Sequence, residues 1–154
     1  MSVREVLQIL PARRSRDGDG VLIQRVVGQQ AHDLDPFLMV DEIRSDDQAD
    51  YVGGFPAHPH RGIETLTYML SGGFVHQDNL GHRAELSNGG AQWMSAGRGI
   101  IHSEMPLIHQ GLLHGFQLAI NLPAAQKMKN PEYRQATARE LPQLKLANGG
   151  LVRA

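Results

Sequence analysis

Cysteine is absent from the 154 residues, which excludes disulfides, zinc–thiolate sites and cysteine nucleophiles together. Any metal must therefore be held by histidine and carboxylate. No run approaches the ~20 apolar residues of a membrane-crossing helix, and the first residues lack the long apolar core of a signal peptide. The expectation is a cytoplasmic protein with no membrane partner. A surplus of either charge is also missing: the formal net charge is -1. Basic residues cluster only at Arg13-Arg14-Ser15-Arg16, which reads as a solvated loop and speaks against direct nucleic-acid binding.

What the chain has in plenty is glycine, proline and histidine. Seventeen glycines and eight prolines favour many short strands and tight turns over long helices, since average glycine usage is only ~7%. The length suits one compact unit with a real core. Residues 4 to 10 alternate imperfectly and stop at Pro11, as a first strand would. Asp17-Gly18-Asp19-Gly20 is a hairpin turn signal ahead of a strand over Val21–Val27, because Asp-Gly supplies the φ > 0 positions of tight loops. Residues 34 to 42 hold a short apolar run consistent with a buried strand, and the acidic stretch 45 to 50 reads as an exposed loop without calcium-loop spacing.

Further strands are expected over 63–70, 74–77, 83–86, 92–94, 100–104 and 112–122, separated by glycine turns. That spacing points to a sandwich or barrel. After Asn121 a short helical turn is expected around Pro123–Met128, with another strand at Gly150–Arg153.

Two short patterns stand out among the eight histidines. They are His58-Pro59-His60, with Glu64 behind it, and His102-Ser103-Glu104. In a strand, residues i and i+2 share a face with α-carbons roughly 6.5 to 7 Å apart. His58 and His60 can thus aim at one point, and His102 and Glu104 can do so from a neighbouring strand. Three imidazoles and one carboxylate suit iron(II), zinc, copper, nickel or manganese. Pro59 cannot donate to a ladder, so His58 and His60 belong at a strand start, an edge or a bulge. Counting by twos from His58 through His60, Gly62, Glu64, Leu66, Tyr68 and Leu70 predicts one continuous face, polar at its start and apolar beyond. His32, His76, His82, His109 and His114 read as ordinary core or surface histidines.

The segments Leu34–Glu42, Gly54–Thr65 and Gln92–Pro106, with Asn121-Leu122-Pro123 near the end, resemble the N-terminal half of the pirin family, within the cupin superfamily. The resemblance implies an all-β fold, a cupin-type double-stranded β-helix or jelly-roll barrel with a short irregular or helical C-terminal segment. It divides the chain into a barrel over residues 1–122 and a C-terminal segment or linker over 123–154, with the usual second cupin domain absent. It also implies a mononuclear metal, expected as iron(II) with zinc, nickel, manganese or copper as alternatives, bound by His58, His60, His102 and Glu104. The general cupin pattern would use Glu64 as a ligand. On a straight strand its α-carbon lies about 13 Å from that of His60, so a supporting role is expected unless Gly62 bends the chain.

By the same resemblance the protein is expected to be an oxygenase opening flavonols such as quercetin, or related phenols, with dioxygen. Glu104 would be the catalytic base that takes the substrate's hydroxyl proton. Phe55, Phe74, Trp93 and Met105 are candidate pocket walls. The alternative is a non-enzymatic, metal-dependent regulatory protein of the kind that acts as a transcription cofactor or redox sensor. An uncovered apolar face would favour self-association.

Overall fold

The hairpin turn at Asp17-Gly18-Asp19-Gly20 sets the first strand pair. Gly18 and Gly20 take φ of 55° and 83° in the computed structural model, which describes residues 5–28 and 34–153. The turn joins β1 (Arg13–Asp17) to β2 (Val21–Val27), with Asp17 opposite Val21. The basic cluster expected as a loop is therefore an exposed edge strand. The strand expected over residues 4 to 10 is not found: Arg4 lies outside the described residues, and 5–10 carry no regular structure. Val6, Leu7 and Ile9 are exposed there. The Asp-Gly turn gives β2 its partner downstream of Pro11.

The remaining strands are β3 (Phe37–Ser45), β4 (Phe55–His60), β5 (Ile63–Ser71), β6 (Phe74–Asp78), β7 (Arg83–Leu86), β8 (Ala91–Ser95), β9 (Ile100–Pro106), β10 (Leu113–Asn121), β11 (Glu132–Ala136), β12 (Gln143–Lys145) and β13 (Leu151–Arg153). They form a seven-stranded sheet in the order β1-β2-β3-β10-β5-β8-β11, a four-stranded sheet β4-β9-β6-β7 and a β12-β13 hairpin. All pairs are antiparallel. The fold is an all-β jelly roll whose sheets face each other without closing into one continuous barrel.

The core shows how the sheets meet. Val21, Ile23, Ile43, Met69 and Leu113 from the larger sheet pack with Phe55, Phe74 and Leu86 from the smaller one. Burying each such side chain contributes about 1.5–3 kcal/mol. A second apolar cluster of Met94, Ala96 and Ile100, with Ile63 and Tyr133 against it, lies further along. On β5 the inward residues are Thr65, Thr67 and Met69, with Thr65 opposite Met94. The polar position Thr67 thus falls between the two apolar clusters.

The continuous face counted from His58 to Leu70 does not exist. Gly62, at φ 68°, turns the chain out of β4 in one sheet and into β5 in the other. The count changes sides there, so Glu64, Leu66 and Tyr68 face outward while Thr65 and Thr67 face inward. The 34–42 run is only partly buried, with Phe37 and Leu38 exposed on β3. Past Asn121 the helical expectation reduces to a 3-10 turn at Ala124–Gln126. Beyond it β11 pairs with β8, so the segment after residue 122 supplies the sheet's outer strand. Among the described residues, no helix is long and apolar enough to cross a membrane.

Candidate metal centre

β4 is the edge of the four-stranded sheet, where Pro56 and Pro59 cost no ladder bonds. Its register shifts between Phe55 and His58, after which His58 stands opposite His102 on β9. On the other side of β9, Asp78 stands opposite His102 and His76 opposite Glu104. Two cross-strand rows result, His58–His102–Asp78 and Phe55–Glu104–His76. The even-numbered members of β6 and β9 are buried, which turns both rows into the interior.

Three of the four expected residues, His58, His60 and His102, therefore meet. Ring centroids of His58 and His102 are 4.4 Å apart, and His60 lies 5.0 Å from His102. The Nε2 atoms of His58 and His60 face each other at 3.0 Å. One potential ligand atom from each of His58, His60 and His102 lies within 4.8 Å of the others. Glu104 falls into a second such group, with His102 and His76. His102 is common to both groups.

Several contacts fix the ring orientations. His58 donates Nδ1–H to the Pro56 carbonyl at 2.8 Å, leaving Nε2 as its lone-pair nitrogen. His102 has Nδ1 3.4 Å from Nδ1 of His76. Its Nε2 is buried and has no hydrogen-bond partner among the described residues, a costly state unless something else binds it. Burial, and then the neighbouring histidines, press the His102 imidazole down to about 3. Burial and then His58 lower His60 to about 4. Both are neutral at pH 7, the form that ligates metal.

Glu104 is fully buried and held from the opposite sheet. Gln117 on β10, Thr67 on β5 and Gln92 on β8 are cross-strand neighbours in one row. Gln117 donates to Oε2 at 2.7 Å, Gln92 makes a short hydrogen bond to Oε1, and the Thr67 hydroxyl lies 3.5 Å from Oε1. Burial pushes the carboxyl above its ordinary range despite these donors.

Glu64 plays no part in either ligand group. It is paired with Lys129 at 2.9 Å and accepts from the Trp93 indole at 3.2 Å, on the outer side of the sheet. Of the other histidines, His82 and His109 are exposed and His114 bonds Glu42. His32 lies outside the described residues. Phe55 and Phe74 are core residues with centroids 6.0 Å apart, Trp93 packs outward beneath Lys129 and Arg134, and Met105 points to solvent. A cleft of about 490 Å³ is lined by Asp17, Gly18, Asp19, Phe55, Pro56 and, of the histidines, His58. The larger concavity, about 800 Å³ between β5, β8 and the β12-β13 hairpin, contains none of them.

Sequence reasoning did not single out His76, Asp78, Gln92, Gln117, Thr67 or Tyr133. A signal existed for Gln117, which sits at core parity with Leu113, Gly115 and Ala119 in an otherwise apolar run. None existed for Tyr133, whose ring reaches His76 only through the β11–β8 pairing.

The Pirin family model matches residues 20–120. The chain belongs to the pirin family. It is 54% identical over 150 residues to a Vibrio cholerae protein named "Putative quercetin 2,3-dioxygenase", covering 97% of this chain and 53% of that protein. The crystal structure of quercetin 2,3-dioxygenase from Acinetobacter baumannii superposes with a TM-score of 0.81 at 30% identity, over 94% of this chain and 53% of that one. The bacterial pirin YhhW from Escherichia coli, solved in complex with nickel(II), gives 0.65 at 28% identity, over 81% of this chain and 54% of that one. The chain spans about half the length of the curated relatives it matches.

Proposed function

We propose that this pirin is a cytoplasmic, metal-dependent oxygenase of the quercetin 2,3-dioxygenase kind, acting with dioxygen on a flavonol or related phenol. The observation that carries the reading is the buried, unpartnered Nε2 of His102 beside the facing Nε2 atoms of His58 and His60. The donor set fits a divalent transition metal. The Nε2 atoms of His58 and His60 face each other at 3.0 Å, close enough to share one ion. His58, His60 and His102 would hold the ion, with Glu104 as fourth ligand. Iron(II) is the ion favoured for dioxygen chemistry, and zinc, nickel, manganese or copper would suit the same donors.

When bound, the metal would supply Lewis acidity toward a phenolic oxygen and redox capacity toward dioxygen. The chain's own residues do the rest. The Pro56 carbonyl holds the His58 ring in its ligating tautomer. Glu104 would take the phenol's proton at Oε2, to which Gln117 donates, and burial makes this carboxylate a stronger base. Gln92 and Gln117 keep it in place, and the apolar clusters on either side exclude water. The substrate would approach along the cleft beside His58.

Dioxygen uptake with quercetin tests the reading. The metal-loaded protein should consume dioxygen, and His60→Ala and Glu104→Ala should not. A second reading, a metal-dependent regulatory protein, draws support from Glu104, both of whose oxygens are already engaged. It would be favoured by stable metal binding without turnover across a panel of phenols. Exposed Leu70, Leu151 and Val152 support self-association, which size-exclusion chromatography across a concentration series would reveal.

A further inference from the structure

His102 is tied to a buried chain that no metal ligand requires for its own sake. Asp78 accepts four hydrogen bonds: from the Leu80 and His82 backbone N–H groups at 2.9 and 3.1 Å on Oδ1, and from His76 Nε2 and His82 Nδ1 at 3.0 and 2.8 Å on Oδ2. An ionised carboxylate can only accept, so His76 carries its proton on Nε2. With that single proton on its ring, His76 presents Nδ1 as a lone pair. The atom facing it is Nδ1 of His102, which must be the donor. Nε2 of His102 is thereby left unprotonated, and it is a buried atom with no hydrogen-bond partner among the described residues. The ring of Tyr133 stacks on His76 at 4.2 Å and 20°, and on His82 at 5.6 Å, holding both planes.

We propose that Asp78, acting through His76, is a positioning residue that fixes His102 in its Nδ1–H tautomer and so presents Nε2 to a divalent metal. The inference rests on the metal reading above. It explains why His76, though grouped with His102 and Glu104, is not itself a ligand: Nε2 is committed to Asp78 and Nδ1 to His102. Partners of this type orient ligating histidines, and their loss typically weakens metal binding about 10- to 100-fold.

Asp78→Asn is the discriminating variant. Its carbonyl can keep the Leu80 and His82 backbone donors while its NH₂ replaces Oδ2. His76 would then accept at Nε2 and donate from Nδ1, and His102 would carry its proton on Nε2. Two readouts are taken on the full chain: nickel(II) affinity by chelator competition, and ¹⁵N imidazole shifts of His102 in the metal-free protein. The expected result is Nδ1–H in the wild type, a move toward Nε2–H in Asp78→Asn, and an affinity loss of about 10- to 100-fold. Unchanged tautomer and affinity in a folded Asp78→Asn would overturn the proposal. So would Nε2–H on His102 in the wild type, a measurement that needs neither a variant nor a metal. Wild-type protein that binds no nickel would defeat the metal reading and with it the proposed purpose of the tautomer, even if the tautomer itself were as expected.

Discussion

Lowering the pH of the metal-free protein should weaken it through the buried histidines. A histidine whose folded pKa is depressed binds fewer protons when folded than when unfolded. Its stabilising contribution is complete above about 6.5 and is lost as pH falls toward the folded value. For His102, lowered from 6.5 to about 3, the loss between pH 7.5 and 5 is about 1.5 pH units' worth, or about 2 kcal/mol at 1.36 kcal/mol per unit. His60, lowered to about 4, has the same sign, but its ring is half-open to solvent and its share is discounted to about 1 kcal/mol. Glu104 opposes them: its raised pKa gives a contribution present below its unfolded value and lost as pH rises. Glu104→Gln removes that opposition, at a pH-independent cost of about 1–3 kcal/mol for an amide facing amide donors. In this variant the histidine effect should stand alone, near 3 kcal/mol. Urea unfolding with a chelator present reads it as a midpoint drop of roughly 1.5 M for a slope of about 2 kcal/mol/M. A midpoint in Glu104→Gln that is flat or rises from pH 7.5 to 5 would refute the reasoning.

Gln117→Leu should leave Oε2 of Glu104 without its donor and cost about 1.5–3 kcal/mol, measured by the same unfolding titration, with metal affinity reduced as well. Gly97→Ala should destabilise by more than about 1 kcal/mol. Gly97 has φ 46° and an added Cβ would stand 2.2 Å from the Lys129 carbonyl oxygen, so the turn that leads into β9 would have to move. Nickel(II) at a hundredfold excess over its dissociation constant should stabilise the wild type by about 2.7 kcal/mol, raising its melting temperature by roughly 5–10 °C. His58→Ala/His102→Ala should show no such rise.

The spacing of His58, His60, His102 and Glu104 was legible because strand periodicity is local: i and i+2 share a face wherever the strand lies. Proline in β4 correctly implied an edge for the same reason. What sequence could not supply was register. Asp78 and His102 become neighbours only when β6 pairs with β9, and nothing within either strand states that pairing. The face counted past Gly62 failed because a single turn carried the chain into the other sheet and changed the parity. Glu64 followed it to the outside. Residues 5–10 form no strand despite their alternation, and the first strand, β1, lies between Pro11 and the Asp-Gly turn. Tyr133 carried no local signal, and the β11–β8 pairing brings its ring onto His76.

The metal content of the purified protein tests the central claim most directly, measured by elemental analysis beside His58→Ala/His102→Ala. The account requires about one transition-metal ion per chain in the wild type and none in the double variant. No metal in either, even after anaerobic reconstitution with iron(II), would contradict it.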